Sequence, residues 1–402
     1  MATTFTTAPS ATELREEFLL DPDVVFLNHG SFGACPRPVF EDYQRWQREM
    51  ERRPVEFLGR RSDGLLDAAR ERLAAYLGAA PDDLVFVPNA TSGINVVARS
   101  LALAALDEVL TTNHEYGALD RTWEHVCEWA GARYVRRALP LPVTTPDDFV
   151  EAIWAGVTPR TKVLFLSHIT SATAIRLPIE ELCRRARAAG ILSVIDGAHA
   201  PGQIPLDLTG IGADVYAGNC HKWLCAPKGS AFLHVRAEHH ATIEAMIVSW
   251  GWVEGSDRWR PDRAFVGRNQ WQGTRDLAAF LAVPAAIDYQ AANGWDEVRV
   301  RCRALVAIAR DRLADLTGLA PIVPAPDAAG WPWFAQMVAS PLPAGVDTIE
   351  LKRRLYDDHR IEVPITTWND RRLIRVSVQG YTTEGDLDAL MAALTDLLPE
   401  VT

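Results

Sequence analysis

Asn219-Cys220-His221-Lys222-Trp223-Leu224 decides the reading of this chain. The short run Asp214-Val215-Tyr216-Ala217-Gly218 leads into it, and Cys225 follows it. A lysine after a strand is ordinarily a solvated charge. Here Cys220, Trp223, Leu224 and Cys225 give it an apolar setting. Desolvation disfavours the ammonium form and leaves a neutral amine ready to condense with a carbonyl. Upstream, Val194-Ile195-Asp196-Gly197-Ala198-His199 closes another apolar run on an acid. Asp196 is thereby expected at the carboxyl end of a strand, where open α/β sheets bind ligands. The ordinary alternative is a helix cap. Gly197, Pro201 and Gly202 argue against a long helix there.

A lysine that forms a Schiff base and an aspartate that holds a pyridinium nitrogen make up the constellation of a pyridoxal phosphate (PLP) enzyme. Thr91 and Ser92 open a helix after Pro88-Asn89-Ala90. Hydroxyls and N–H groups at a helix start make a phosphate site, although Thr and Ser also cap purely structural helices. Arg375 lies in the apolar run Leu373-Ile374-Arg375-Val376-Ser377. A structural salt bridge and bidentate capture of a substrate carboxylate both fit it, and spacing leaves the two open.

The 402 residues suit one large domain and a smaller one. A net charge of −11 argues against nucleic acid as a partner. The six cysteines are scattered, with only Cys220 and Cys225 close, so neither a zinc set nor a disulfide framework is expected. This points to a reducing, cytoplasmic setting. Met1 to Ser10 has no basic stretch before an apolar run, so no signal peptide is expected. No apolar stretch approaches the ~20 residues that span a membrane, so no membrane partner is expected.

Short apolar runs at Leu84–Val87, Val109–Leu110, Val163–Leu166 and Ile191–Ile195 read as strands buried on both faces. Helical patterns separate them at Ser92–Leu103, Ala118–Ala130 and Pro178–Ala189. The alternation predicts a mainly parallel α/β/α domain. Before it come a ragged arm, a strand at Val24–Leu27, a helix opened by Pro36 and Pro38, and an amphipathic helix over Ser62–Leu77. Beyond the Pro-rich loop Pro321–Pro332, strands at Phe334–Val338 and Leu373–Val378 and helices at Thr348–His359 and Thr383–Leu398 predict a small α+β unit. The expected divisions are an arm and loop over 1–35, a large domain over 36–290, and a small domain over 291–402 with the arm packed near it.

From Val24 to Leu398 the chain resembles fold-type I PLP enzymes of the class V aminotransferase family, within it the isopenicillin N epimerase-like proteins. The resemblance rests on Leu27-Asn28-His29-Gly30-Ser31-Phe32-Gly33 with Pro36, on Val194–His199 and on Asn219–Trp223. It implies that Lys222 carries the Schiff base, that Asp196 pairs with the ring nitrogen and that His199 bonds the ring oxygen. Tyr116 would stack on the ring, where relatives often have histidine. Thr91, Ser92 and His221 would bind phosphate. Asn219 would contact it too, although many relatives carry Ser or Thr there. Thr170 and Ser171 would lie near the cofactor. Gln272-Gly273-Thr274 resembles a segment that reaches the phosphate of the other subunit, which implies a homodimer with the site at the subunit interface. Asn28 and His29 would approach the substrate and Arg375 would hold its carboxylate.

Lys222 is then the base that takes the substrate's α-proton. Return of a proton on the opposite face, from Tyr116 or His29, gives an epimerase, the leading expectation and one suited to secondary metabolism. Loss of a β-substituent gives a C–S lyase acting on a cysteine conjugate or its sulfoxide. An aminotransferase and a non-catalytic binding protein are further alternatives. Desulfuration through a protein thiol is disfavoured, because no cysteine follows Cys302. The Trp250–Trp271 segment reads as a substrate mouth or as a packed dimer loop.

Overall fold

The computed structural model describes residues 8–139, 141–325 and 331–402. Twelve strands occur among them: β1 (Val25–Phe26), β2 (Leu84–Val87), β3 (Glu108–Thr112), β4 (Arg133–Arg137), β5 (Thr161–Ser167), β6 (Leu192–Asp196), β7 (Val215–Asn219), β8 (Ala231–Val235), β9 (Met337–Pro341), β10 (Ile361–Glu362), β11 (Ile365–Trp368) and β12 (Arg371–Ser377). Seven of them form the main sheet, in the order β2-β8-β7-β6-β5-β3-β4. Only β8 runs against its neighbours. The architecture is a large α/β/α sheet domain followed by a smaller α+β region.

The two-residue period of a strand divides the core. Leu84, Phe86, Leu164, Leu166, Tyr216 and Phe232 point to one face and join the main core. Val85, Val87, Val163, Phe165, Val215 and Leu233 point to the other and pack with Ile94, Val97 and Trp123 of the helices Ala90–Ser100 and Gly117–Ala130. Both faces are covered, which is why these strands read as unbroken apolar runs. The edge strand β4 carries Arg133 and Arg136, charges that discourage further pairing.

The smaller region builds an antiparallel sheet β11-β12-β9. The helix Trp295–Thr317 packs on it, and Glu384–Val401 packs against that helix. The N-terminal segment joins this region. β1 pairs with β10, Asn28 bridges to Ser377, and Arg301 donates to the Pro9 carbonyl at 2.8 Å. The expected helix Ser62–Leu77 spans those same residues. The expected strand 334–338 begins later, at Met337. The strands β4 and β8 and the helix Trp295–Thr317 have no counterpart in the sequence reading. Residues 326–330 of the Pro-rich loop and residues 1–7 of the N-terminal arm lie outside the described residues.

Candidate functional site

β6 and β7 are parallel neighbours, with Asp196 opposite Ala217. Asp196 and Lys222 therefore emerge at the same carboxyl edge, into a cavity of about 590 Å³. That volume suits a cofactor with a small substrate. Two glycines let other chain segments press on the lysine segment. A Cβ on Gly33 would lie 2.0 Å from the His221 carbonyl oxygen, and one on Gly202 would lie 2.3 Å from the Trp223 carbonyl carbon. Both have positive φ, at 68° and 87°.

The Lys222 Nζ lies 3.3 Å from His199 Nε2. The Trp223 indole N–H donates to His199 Nδ1 at 3.3 Å. Burial holds His199 neutral, well below its ordinary pKa, with the Lys222 charge adding to the effect. With Nδ1 accepting, the ring proton sits on Nε2 and points at Lys222. Burial, and then Arg375, pull Lys222 down to about 8, and Asp196 opposes them. Burial raises Asp196, whose Oδ1 accepts from the Ala198 N–H at 2.9 Å.

Arg375 stands on β12, 6% exposed, and burial brings it down to about 10. It donates to the Ser171 carbonyl at 2.6 Å and to the Ser31 hydroxyl at 3.1 Å. Its Nε has no partner, and among the described residues no carboxylate pairs with it. A buried guanidinium with donors to spare is fitted to receive an anion.

At the opposite wall, Asn89 caps the helix Ala90–Ser100, accepting from the Ser92 N–H at 2.8 Å. Asn219 Oδ1 accepts from the Ala90 N–H at 2.8 Å. Asn219 thus spends its oxygen on the helix start and holds that start against β7. Thr91, Ser92 and His221 line the cavity beside it. His221 Nδ1 lies 3.0 Å from the Ser230 carbonyl, and burial lowers its pKa to about 4. The ring is neutral and donates from Nδ1, which leaves Nε2 as an acceptor.

Several expected residues stand elsewhere. His29 is fully buried and its pKa is lowered to about 3 by burial. Its Nδ1 meets the Tyr381 hydroxyl at 2.9 Å and its Nε2 meets the Lys222 carbonyl at 3.0 Å. With both nitrogens engaged beneath the lysine backbone, His29 is not an opposite-face acid. Asn28 is committed as well, donating to Glu362 at 2.9 Å and accepting from the Ser31 hydroxyl at 2.5 Å. The loop presents Ser31 and Phe32 to the cavity instead. Thr170 turns into its own loop, 2.7 Å from Thr173 Oγ1 and accepting from the Ile175 N–H at 2.8 Å. Ser171 lines the cavity, as does Tyr116, which is 44% exposed. Thr274 borders a different hollow, with Trp250, Arg258 and Trp271. Gly273 beside it has a φ of 99°.

The sequence reading overlooked Ser31, Phe32 and Glu115. Ser31 and Phe32 sit inside a quoted motif, and Glu115 directly precedes Tyr116. All six cysteines are free. Five are buried, and the half-buried Cys35 is pushed up to about 12 by burial. Among the described residues, no helix is long and apolar enough to cross a membrane.

The donor set fits PLP: a lysine amine of lowered pKa, a buried acid on the adjacent strand and a helix start at the far wall. Comparison with known proteins agrees. The family model described as Aminotransferase class-V matches residues 35–390. The chain is 43% identical to the isopenicillin N epimerase of Amycolatopsis lactamdurans, over 95% of this chain and 97% of that one. It is 40% identical to that of Streptomyces clavuligerus, over 96% and 98%. It is 25% identical to the hercynylcysteine sulfoxide lyase of Schizosaccharomyces pombe, over 96% and 97%. Among solved structures, the apo cysteine desulfurase of Thermococcus onnurineus NA1 superposes with a TM-score of 0.82 at 20% identity, covering 100% of each chain.

Proposed function

The chain belongs to the aminotransferase class-V family, and from that premise we propose that this PLP-dependent enzyme epimerises an amino-acid centre of a small, specialised substrate. The near-full-length similarity to isopenicillin N epimerases carries this reading over its rivals. PLP, when bound, supplies an electron sink that makes the substrate's α-proton acidic. The residues of the chain do the rest.

Arg375 receives the substrate carboxylate, with Ser31 and Ser171 fixing the guanidinium fork. Asp196 would hold the ring nitrogen, and His199 would bond the ring oxygen through its Nε2–H. The start of the helix Ala90–Ser100, with Thr91, Ser92 and His221, receives the phosphate. Lys222 Nζ accepts the α-proton, which its depressed basicity at about 8 suits, since a neutral amine is available near physiological pH. Tyr116 returns a proton from the far side. With His29 engaged elsewhere, it is the remaining one of the two expected donors.

A second copy of the chain completes the site by bringing Gly273 and Thr274 to the phosphate. Exposed apolar side chains at Met246, Ile247, Val248, Trp250 and Val253, close to this segment in sequence, support a homodimer. The free cysteines support a reducing compartment such as the cytoplasm.

The second reading is a C–S β-lyase. The thiols favour it over desulfuration: they are buried or held protonated, so none serves as a sulfur acceptor, and a lyase that releases sulfur to solution needs none. Incubation of isopenicillin N and of cysteine conjugates in deuterated buffer tests both readings. An epimerase exchanges the α-proton and forms the second stereoisomer. Stoichiometric pyruvate and ammonia instead would sink the epimerase in favour of the lyase, and a keto acid retaining the side chain would indicate transamination.

A further inference from the structure

Glu115 is a buried carboxyl that the proposed chemistry leaves unused. It lies in the turn between β3 and the helix Gly117–Ala130, 7% exposed. Its Oε1 accepts from the Thr112 hydroxyl at 2.7 Å. Its Oε2 accepts from the Ser167 N–H at 2.7 Å and the Ser167 hydroxyl at 2.6 Å. Among the described residues, no cation pairs with it.

Two features connect this carboxyl to the cofactor site. Ser167 ends β5, and its register partner on β6 is Asp196. The residue after Glu115 is Tyr116, whose side chain lines the cavity. One carboxyl thus ties the turn carrying Tyr116 to the strand end flanking Asp196. The surroundings leave its charge little compensated. His114 and His168 are held neutral by burial, lowered to about 4 and about 3. Tyr134 on β4 is raised far above its ordinary range by burial and by Asp120. Asp196, the remaining charged neighbour, is itself an acid. Burial first, and Asp196 further, push Glu115 up to about 7 against the hydrogen bonds of Ser167 and Thr112.

We infer that Glu115 is a positioning residue whose negative charge, set behind Asp196 through Ser167 at the strand end, favours positive charge in the cofactor site. A second anion behind Asp196 makes that carboxylate a better proton acceptor. It also favours every positive charge on the cofactor above it, including that of its linkage to Lys222. The inference rests on the PLP reading and is indifferent to which reaction follows.

Glu115→Gln separates charge from geometry. A glutamine oxygen still accepts both Ser167 bonds, and its NH₂ donates to the Thr112 hydroxyl oxygen, so all three contacts survive. The measurement is the pH midpoint of the cofactor's visible absorption band in holoenzyme without substrate. The melting temperature of cofactor-free protein is recorded beside it. The midpoint in Glu115→Gln falls below that of the unaltered protein while the melting temperature holds. Glu115→Asp keeps the charge and retains most of the midpoint. An unchanged midpoint in Glu115→Gln overturns the inference and leaves the residue a structural tie. If that variant does not fold, Ser167→Ala takes its place. Losing one donor makes Glu115 ionise at higher pH, so the midpoint falls again, and an unchanged value overturns the inference equally. Absence of a visible band in the unaltered holoenzyme overturns the cofactor reading and this inference together.

Discussion

Lys222 owes its chemistry to what surrounds it. Its neighbours Cys220, Trp223, Leu224 and Cys225 are fully buried, and burial brings its ammonium down to about 8. In cofactor-free protein, labelling of Lys222 by an amine-directed reagent should therefore rise with pH around a midpoint near 8, below that of an ordinary surface lysine. Peptide mapping of the label across a pH series checks this. Lys222→Ala should abolish the visible band of the holoenzyme and reduce α-proton exchange by roughly 10²–10⁴-fold, the usual contribution of a positioned base. Arg375 shows how far sequence alone reaches. Its place in an apolar run raised two possibilities, a salt bridge or a ligand. The structure supplies it with a carbonyl and a hydroxyl and no carboxylate among the described residues. Arg375→Lys keeps a cation and loses the planar fork. The expected result is a KM for amino-acid substrate raised by roughly tenfold or more, the effect of losing about 1.4 kcal/mol of substrate binding. Steady-state kinetics measure it, and an unchanged KM would assign Arg375 to structure alone.

Among the elements, the strands of the sheet were legible where both faces are covered, because every side chain of such a strand must be apolar and the run stays unbroken. β4 was not, since an edge strand bearing Arg133, Arg136 and Arg137 carries the charges of a surface segment. β8 was missed although all five of its residues are buried. Its short apolar run follows Lys228-Gly229-Ser230, and nothing local says that it turns back to insert between β2 and β7. The segment 28–32 gave the clearest reversal. Its motif suggested substrate contact, yet His29 and Asn28 face inward and Ser31 and Phe32 face the cavity. His29→Ala should therefore cost about 1–3 kcal/mol of stability by orphaning the Tyr381 hydroxyl and the Lys222 carbonyl. Chemical denaturation of the cofactor-free protein measures that loss. A variant of full stability with lost exchange would restore His29 to the chemistry.

Over the whole molecule, burial of neutral histidines sets the acid limit. His29, His114, His168, His221 and His234 all have folded pKa values lowered to between about 3 and about 4. Below their ordinary value near 6.5 the unfolded chain binds protons that the folded chain refuses. Their contribution is intact above pH 6.5 and is lost as the pH falls toward 4. Glu115 works in the opposite sense, since its raised pKa makes the folded state the stronger proton binder between its ordinary value and about 7. The histidines outnumber it, so the melting temperature should drop steadily between pH 6.5 and pH 4. Calorimetry across that range checks the sign. Assembly belongs to this scale too. Replacing the exposed Trp250 and Val248 by acids should yield a smaller species by light scattering and weaken cofactor retention. A dimer that survives the change would place the interface elsewhere.

Sequence by itself determined the α/β alternation, the place of Asp196 and Lys222 at the ends of two apolar runs, and the helix start at Thr91 and Ser92. Each depends on a residue's immediate neighbours and on local periodicity, which the order of amino acids carries directly. Tertiary structure alone decided which groups meet. Arg375 reaches Ser31 across 344 positions and Ser171 across 204, and His29 reaches Tyr381 across 352. Such meetings depend on how the N-terminal segment, the sheet edge and the small domain close on one another. A motif cannot reveal which of its side chains then face the cavity and which are spent on holding it.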